Sequence, residues 1–294
     1  MADSVPAVVP PPAGAARPRR RHRHWRINFP GGVAGILWLG IVVVPVYWVL
    51  VTSLRSPQEF FIANQFSLPV PPAFANYVRV FEVNFLGYLM NSVIVTAGAV
   101  TLTLVVSFLA AYVIVRNDMA VSRAVFSLFL LGLAIPIQSA IIPVYYLISK
   151  AGLYDTLLAL ILPFAAFAVA VTVFILSNFI RDIPRELFEA MEIDGASHWQ
   201  MLRWLVLPLS GPALMTVAIY DALNVWNGFL FPLVLTQSAS QRVLPLALWS
   251  FQDEMTINVP VVMAAVVLTS IPMVTLYIFG RRYIVAGLTA GFGK

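Results

Sequence analysis

Five long stretches of this chain carry no charged side chain at all: residues 27–54, 86–115, 124–149, 156–180 and 255–280. A sixth, 204–241, is interrupted only by Asp221. Each is longer than the roughly 20 apolar residues that cross a bilayer core. Such segments have nowhere to hide in a soluble domain of 294 residues. The composition agrees, at 60% hydrophobic and 11% charged against about 25% charged in soluble domains. The expectation is an all-α integral membrane protein with six transmembrane helices and both termini on one side.

The basic residues orient it. Arg55, Arg79, Lys150 and Arg242 fall in loops on one side; the other fourteen of the 18 lysines and arginines fall on the side of the termini. The positive-inside bias therefore puts both termini in the cytoplasm. The net charge of +5 reads as topology, not nucleic-acid binding, because much of it is the N-terminal cluster beside the first span. Residues 1–26, with "VPPPAGAARPRRRHRHWR", cannot bury a core and read as a disordered cytoplasmic tail that can touch anionic lipid. The following apolar run is far longer than a signal-peptide core of roughly 7–15 residues. Residues 27–294 are expected to form one six-helix transmembrane domain. Prolines 45, 136, 143, 163, 232 and 272 lie within the windows; they predict either kinks or a moving, cavity-lined bundle.

The connection between the fourth and fifth windows is the unusual one: "EAMEIDGASHWQMLRWLVLPL" at 189–209. Asp182 can cap a helix with Pro184 in its first turn. Leu187, Ala190, Met191 and Asp194 share one face, with Leu187 and Met191 as an apolar stripe. Asp194-Gly195 breaks the helix, Gly195 taking the left-handed conformation. Ser197 and Gln200 have capping-box spacing for a second helix through Trp199, Leu202, Leu205 and Val206 to Pro208. The local physics describes a helix–glycine–helix elbow at the cytoplasmic surface.

Its residue order resembles the EAA motif of permease subunits of ABC importers. In that pattern Glu-Ala-Ala is followed by three residues, Gly, nine residues, Ile, one residue and Leu-Pro. Here stand Glu189-Ala190-Met191, Gly195, Leu205, Val206 and Leu207-Pro208, with Met191 for the third alanine and Leu205 for isoleucine. "YLMNSVIVT" at 88–96, "IPIQSAIIPVYYLI" at 135–148, "VWNGFLFPLVL" at 225–235 and "RRYIVAGLTAGFGK" at 281–294 look like the MalG-type subunit of carbohydrate importers. The resemblance implies a MetI-like transmembrane fold in a prokaryotic cell membrane. It implies a MalF-type second permease, two copies of a cytoplasmic ATPase and an extracytoplasmic solute-binding protein as partners. It makes 184–208 the coupling loop, with Glu189, Ala190, Met191, Asp194, Gly195, Ala196, Leu205 and Pro208 as its ATPase-docking elbow. ATP and Mg belong to the partner; this chain has no G-x-x-x-x-G-K-[ST] and is expected to bind no cofactor.

The polar residues within the windows are candidates for a sugar path. Asp221 is an acid whose placement at mid-bilayer costs roughly 2.5–3.5 kcal/mol, so it should face protein or water. Asn91, Gln138, Ser139, Asn224, Trp226 and Asn227 are of the types that bind sugars by planar hydrogen bonding and stacking. The same side chains also serve interhelix hydrogen bonding, and both roles stay open. An enzyme is not expected: there is no cysteine, no H-E-x-x-H and no G-x-S-x-G, and His22, His24 and His198 form no catalytic or metal-binding set. An ion-driven transporter would need more intramembrane acids than Asp221 and would leave the elbow unexplained. A non-sugar solute is the other alternative.

Overall fold

A computed structural model describes residues 29–117, 119–248 and 258–290, and the side chains among them up to Arg281. The expected disordered tail, 1–26, lies outside the described residues. By internal contacts the chain divides at Pro45. The described part of the first unit, 29–45, is the apolar beginning of helix α1 (Phe29–Ser53).

Among the described residues all regular structure is helical. After α1 come two short helices, α2 (Pro57–Ile62) and α3 (Ala75–Glu82), then the long α4 (Phe85–Arg116). A bent pair follows, α5 (Ala120–Gly132) and α6 (Ile137–Lys150), then α7 (Leu158–Arg181). The elbow is α8 (Arg185–Ile193) and α9 (His198–Met201), continued by a π-helical turn, Leu202–Val206, and α10 (Leu207–Leu209). The rest is α11 (Gly211–Trp226), α12 (Leu230–Leu235), α13 (Leu244–Ala247) and α14 (Val259–Ala290).

Four of these are long and apolar enough to span a membrane, and up to six spans result if each of two bent pairs counts as one. The expected third and fifth spans are therefore not single helices. Helices α5 and α6 meet at 104°. Ile135 precedes a proline and is pushed out of the helical region, while Pro136 itself stands extended at φ −70°, ψ 133°. Helices α10 and α11 meet at 72°, at Ser210 and ahead of Pro212. By contrast Pro45, Pro143, Pro163 and Pro272 sit inside continuous helices.

Helices α4 and α7 form the central pair, and the first half of their shared face carries small residues. A Cβ at Gly98 would meet Ile161 Cδ1 at 2.9 Å. Ala99 and Ala165 are buried, and Thr103 Oγ1 donates to Ala99 O at 2.8 Å. Small side chains let two backbones approach closely where lipid offers no hydrophobic drive. Helix α11 packs across both. The segment between α1 and α4 has its own knot. Arg55, 1% exposed, donates through Nη2 to Asn64 O and Ser67 O at 2.6 Å each, and buried Asn76 donates to Ser53 O and Arg55 O.

Candidate functional site

The elbow forms as its sequence demands, with two shifts of register. Asp182 does not cap α8. It ends α7 in a helical conformation (φ −77°, ψ −9°), and extended Pro184 begins α8 with no side-chain cap. The buried stripe is also not Leu187 with Met191. Leu187 is exposed, whereas Phe188 is 4% exposed and Met191 half-buried beside it. Phe188 wins because it is the residue that reaches the ends of α4 and α7. It enters a cluster with Phe108, Tyr112, Leu176, Ile180, Leu202 and Val206. Burying one such side chain stabilises by about 1.5–3 kcal/mol. The Arg116 guanidinium lies 4.5 Å over the Phe188 ring and pairs with Glu192. Tyr112 Oη donates to His198 O at 3.1 Å. Arg116, Tyr112, Phe188 and Glu192 thus tie the elbow to the bundle. Sequence alone could not pair them, because Arg116 and Glu192 stand 76 positions apart.

Between the arms, Gly195 has φ +77°. The Gly195 N–H donates to Glu192 O at 3.0 Å and the Ala196 N–H to Met191 O at 2.9 Å. These are the two bonds of a Schellman motif, with Met191 and Ala196 in contact with the same apolar cluster. The second arm starts with the expected capping box. The Gln200 N–H donates to Ser197 Oγ at 3.4 Å, and the Ser197 N–H donates to Gln200 Oε1 at 2.7 Å. Leu205 is half-buried and Pro208 exposed. What remains outward on the elbow is Glu189, Ala190 and Asp194, together with Ile193 at 86% and Trp199 at 64% exposed. An outward face of small, acidic and large apolar residues, rigidly held, is suited to docking against protein. Ile193 and Trp199 were not singled out from sequence; their apolar character at a charged loop was the available signal.

The candidate path residues divide into three groups. Asp221 and Asn224 of α11 line a cavity of about 290 Å³ with Phe164, Phe167, Tyr220, Phe229 and Phe231. Asp221 is 1% exposed and accepts from Thr172 Oγ1 of α7 at 3.0 Å. Asn224 is exposed and its Nδ2 donates back to Tyr220 O at 2.8 Å. Phe231 packs edge-on to Phe164 with centroids 5.1 Å apart. A Cβ at Gly228 would fall 2.3 Å from Phe164 Cζ, so any larger residue there must displace the Phe164 ring. Gln138 and Ser139 are exposed in the first turn of α6, whose Ile137 borders this cavity.

Trp226 and Asn227 face elsewhere. They line a separate space of about 380 Å³ against α13 and α14, and Trp226 Nε1 donates to Thr269 O at 3.3 Å. Asn91 is a clasp: its Nδ2 donates to Ser240 O at 2.8 Å and Arg242 O at 2.9 Å. A second clasp is Asp155, in the left-handed region at φ +60°. It accepts the Gln237 and Ser238 N–H groups at 2.8 and 2.9 Å and the Ser238 hydroxyl. That hydroxyl bond, then the two amides, hold its carboxyl below the ordinary aspartate range.

Comparison with known proteins brings these features together. Residues 103–289 match the sequence profile of the family described as binding-protein-dependent transport system inner membrane component. The chain is 42% identical over 258 residues to a putative ABC transporter permease protein of Caldicellulosiruptor, covering 88% of this chain and 94% of that one. It is 34% identical to the diacetylchitobiose uptake system permease NgcG of Streptomyces coelicolor, over 87% and 85% of the two chains. It is also 34% identical to the trehalose/maltose transport system permease MalG of Thermococcus litoralis, over 88% and 94%. Among solved structures, a chain of a bacterial ABC transporter that imports the acidic polysaccharide alginate superposes with a TM-score of 0.77. That match has 23% identity and covers 88% of this chain and 98% of that one.

Proposed function

The chain belongs to the binding-protein-dependent transport system inner membrane component family, and from that premise we propose that it forms half of the translocation path of an ATP-driven sugar importer. The observation that carries the mechanism is the elbow: an exposed Glu189–Ala190 arm, a glycine at φ +77°, and a buried anchor at Phe188. A cytoplasmic ATPase subunit docks on its outward face. Movement there enters the bundle as a rigid body, because Phe188, Met201, Leu202 and Val206 share one apolar cluster with Ala213 and Val217 of α11.

The other partners are a second permease of MalF type, a second ATPase copy and an extracytoplasmic solute-binding protein. ATP and Mg act on the ATPase subunits; this chain moves solute and performs no chemistry. The basic-residue bias supports cytoplasmic termini and an elbow on the ATPase side. The sugar assignment is supported by the names of the relatives, which include permeases for diacetylchitobiose and for trehalose and maltose. The cavity of Asp221, Asn224, Tyr220 and four phenylalanines offers the stacking faces and hydrogen-bonding groups a sugar uses.

The test is affinity purification of the chain from its native membrane in mild detergent, with mass spectrometry of what accompanies it. A second permease, a P-loop ATPase and a solute-binding protein are expected, and the binding protein is then titrated with sugars. Recovery of the chain without an ATPase would overturn the coupling role and bring back an ion-driven mechanism built on Asp221. A binding protein that takes only a non-sugar solute would overturn the sugar assignment alone.

A further inference from the structure

The connection from α1 to α4 carries an apolar surface that neither the elbow nor the cavities use. Residues 60–78 have no charged side chain. Phe61, Ile62, Leu68 and Val70 are each at least 69% exposed, and Phe66 and Phe74 are exposed as well. Large apolar side chains crowded on the outside of one short segment mark a surface that meets something other than water.

The polar groups of the segment are turned inward. At its start the Arg55 side chain is buried and donates to Asn64 O and Ser67 O. The Glu59 carboxylate accepts the Ser56 N–H and hydroxyl, closing the capping box of α2. The backbone follows the same rule. The N–H groups of Ala63, Phe66, Ser67 and Ala73 donate to Glu59 O, Asn64 Oδ1, Asn64 O and Leu54 O at 2.7–3.0 Å. Pro69, Pro71 and Pro72 have no N–H to satisfy. A water-facing loop has solvent for these groups; a loop against lipid must supply the partners itself.

One bond sets the level of the segment. Tyr47 Oη donates to Phe66 O at 2.9 Å. Tyr47 stands six residues before the end of α1 at Ser53, about 9 Å of helical rise. Helix α1 is long and apolar enough to cross a membrane. The segment is thus folded back beside the last two turns of a span instead of projecting from it. Val46, Tyr47 and Leu50 are exposed on those turns, so the apolar surface of the segment meets that of the span. An irregular, proline-rich backbone does not enter the hydrocarbon core exposed to lipid. The level that suits it is the membrane–water interface, where aromatic side chains are favoured.

We propose that residues 57–74 form an interfacial foot. Phe61, Ile62, Phe66, Leu68 and Val70 rest among the lipid headgroups and first acyl carbons of the leaflet at the Ser53 end of α1, and fix the depth of that helix. The proposal needs the chain to span a membrane, not that its solute be a sugar.

The chain has no cysteine, so single nitroxide labels can be placed by F61C, I62C, L68C and V70C. A239C serves as the water-side reference, because Ala239 is exposed in the turn between α12 and α13. The chain is studied with whatever co-purifies, in phosphatidylcholine nanodiscs, and the cysteine-free parent gives the background from other subunits. Spin relaxation is compared for oxygen, which partitions into lipid, and for a nickel chelate, which stays in water. Relative to A239C, the oxygen-to-chelate ratio should shift toward oxygen at all four positions. A ratio equal to that of A239C would overturn the foot and leave the segment open to a soluble partner. Protection from both reagents would also overturn it, by showing that another subunit covers the segment. A second measurement leaves the protein unaltered. Phosphatidylcholine with a photoactivatable group beside the glycerol should cross-link to 57–74, and the same group at the acyl terminus should not. Labelling of 57–74 by neither lipid, or equally by both, would refute the interfacial level.

Discussion

Gly195 is the residue whose replacement tests the elbow most sharply. A Cβ there would meet no atom within 4 Å, so substitution introduces no clash and the whole cost is conformational. At φ +77° an L-residue pays roughly 1–2 kcal/mol, a factor of about 5–30 in the population of the formed turn. Asn tolerates the left-handed region better and should fall between Gly and Ala. Pro does worst. It cannot adopt this φ and it deletes the N–H that donates to Glu192 O, so the loss should be about 3 kcal/mol or more. The direct readout is hydrogen exchange at the Ala196 amide, which donates to Met191 O across the same turn. Relative to wild type, G195A should accelerate it about 5–30-fold, and G195N less. In proteoliposomes of the assembled complex the same order, Gly, Asn, Ala, Pro, should appear as falling transport per ATP hydrolysed at equal membrane abundance. Equal exchange rates for Gly, Asn and Ala would refute the strained-turn reasoning, and normal transport by G195P would refute the elbow as coupling element.

Three further outcomes follow from the geometry. Thr172→Val removes the hydroxyl bonded to buried Asp221, and a buried acceptor left without its donor costs about 1–3 kcal/mol; thermal melting of the purified protein should fall accordingly, while Asp221→Asn, which still accepts from Thr172, should lose less. The reverse order would show that charge, not this bond, matters. Gly228→Ala drives Phe164 from its place against Phe231 and should cost about 1–3 kcal/mol by overpacking; Phe164→Leu in the same chain should restore transport, and failure of that rescue would remove Phe164 as the cause. The Asp155 clasp has a depressed carboxyl pKa, so its contribution is full above the ordinary aspartate value of 3.8 and is lost as pH falls below it. Exchange of the Gln237 and Ser238 amides, corrected for intrinsic rate, should rise in that acid range in wild type and show no such step in Asp155→Asn; a step in both would exclude Asp155 as the titrating group.

Much of this was legible in the chain itself, and the misses share a cause. Uncharged windows reveal which residues can live in lipid, but not whether the backbone stays continuous through them. Pro136 and Pro143 look alike in sequence; the first stands at the N-cap of α6 and the second rides inside that helix. What separates them is whether a turn of helix precedes the ring, and that depends on where the chain must go next. Likewise Gly195, Ser197 and Gln200 were readable because caps are local, within three residues. Phe188 was missed because its role is set by Arg116 and Tyr112, far off in sequence. Among the path candidates, type was readable and direction was not: Asn224 and Trp226 are two residues apart, yet they line different cavities.

That last division has a mechanical side. Helices α7 and α11 carry the elbow cluster and the aromatic cavity on the same two rods. On α7, Leu176 and Ile180 belong to the elbow cluster, Thr172 reaches Asp221, and Phe167 and Phe164 line the cavity. On α11 the order is Ala213 and Val217 in the cluster, then Asp221 and Asn224 in the cavity. On the proposed coupling, a slide of α11 along α7 would act on the 3.0 Å bond from Thr172 to Asp221, which lies between the cluster and the cavity. The break at Ser210 does not uncouple the two segments, because Leu202 and Val206 of the π-helical turn pack in one cluster with Ala213 and Val217 of α11. If the elbow couples as proposed, a push at the surface would have to pass the polar Thr172–Asp221 bond, at the junction of the apolar cluster and the cavity, to reach the cavity wall.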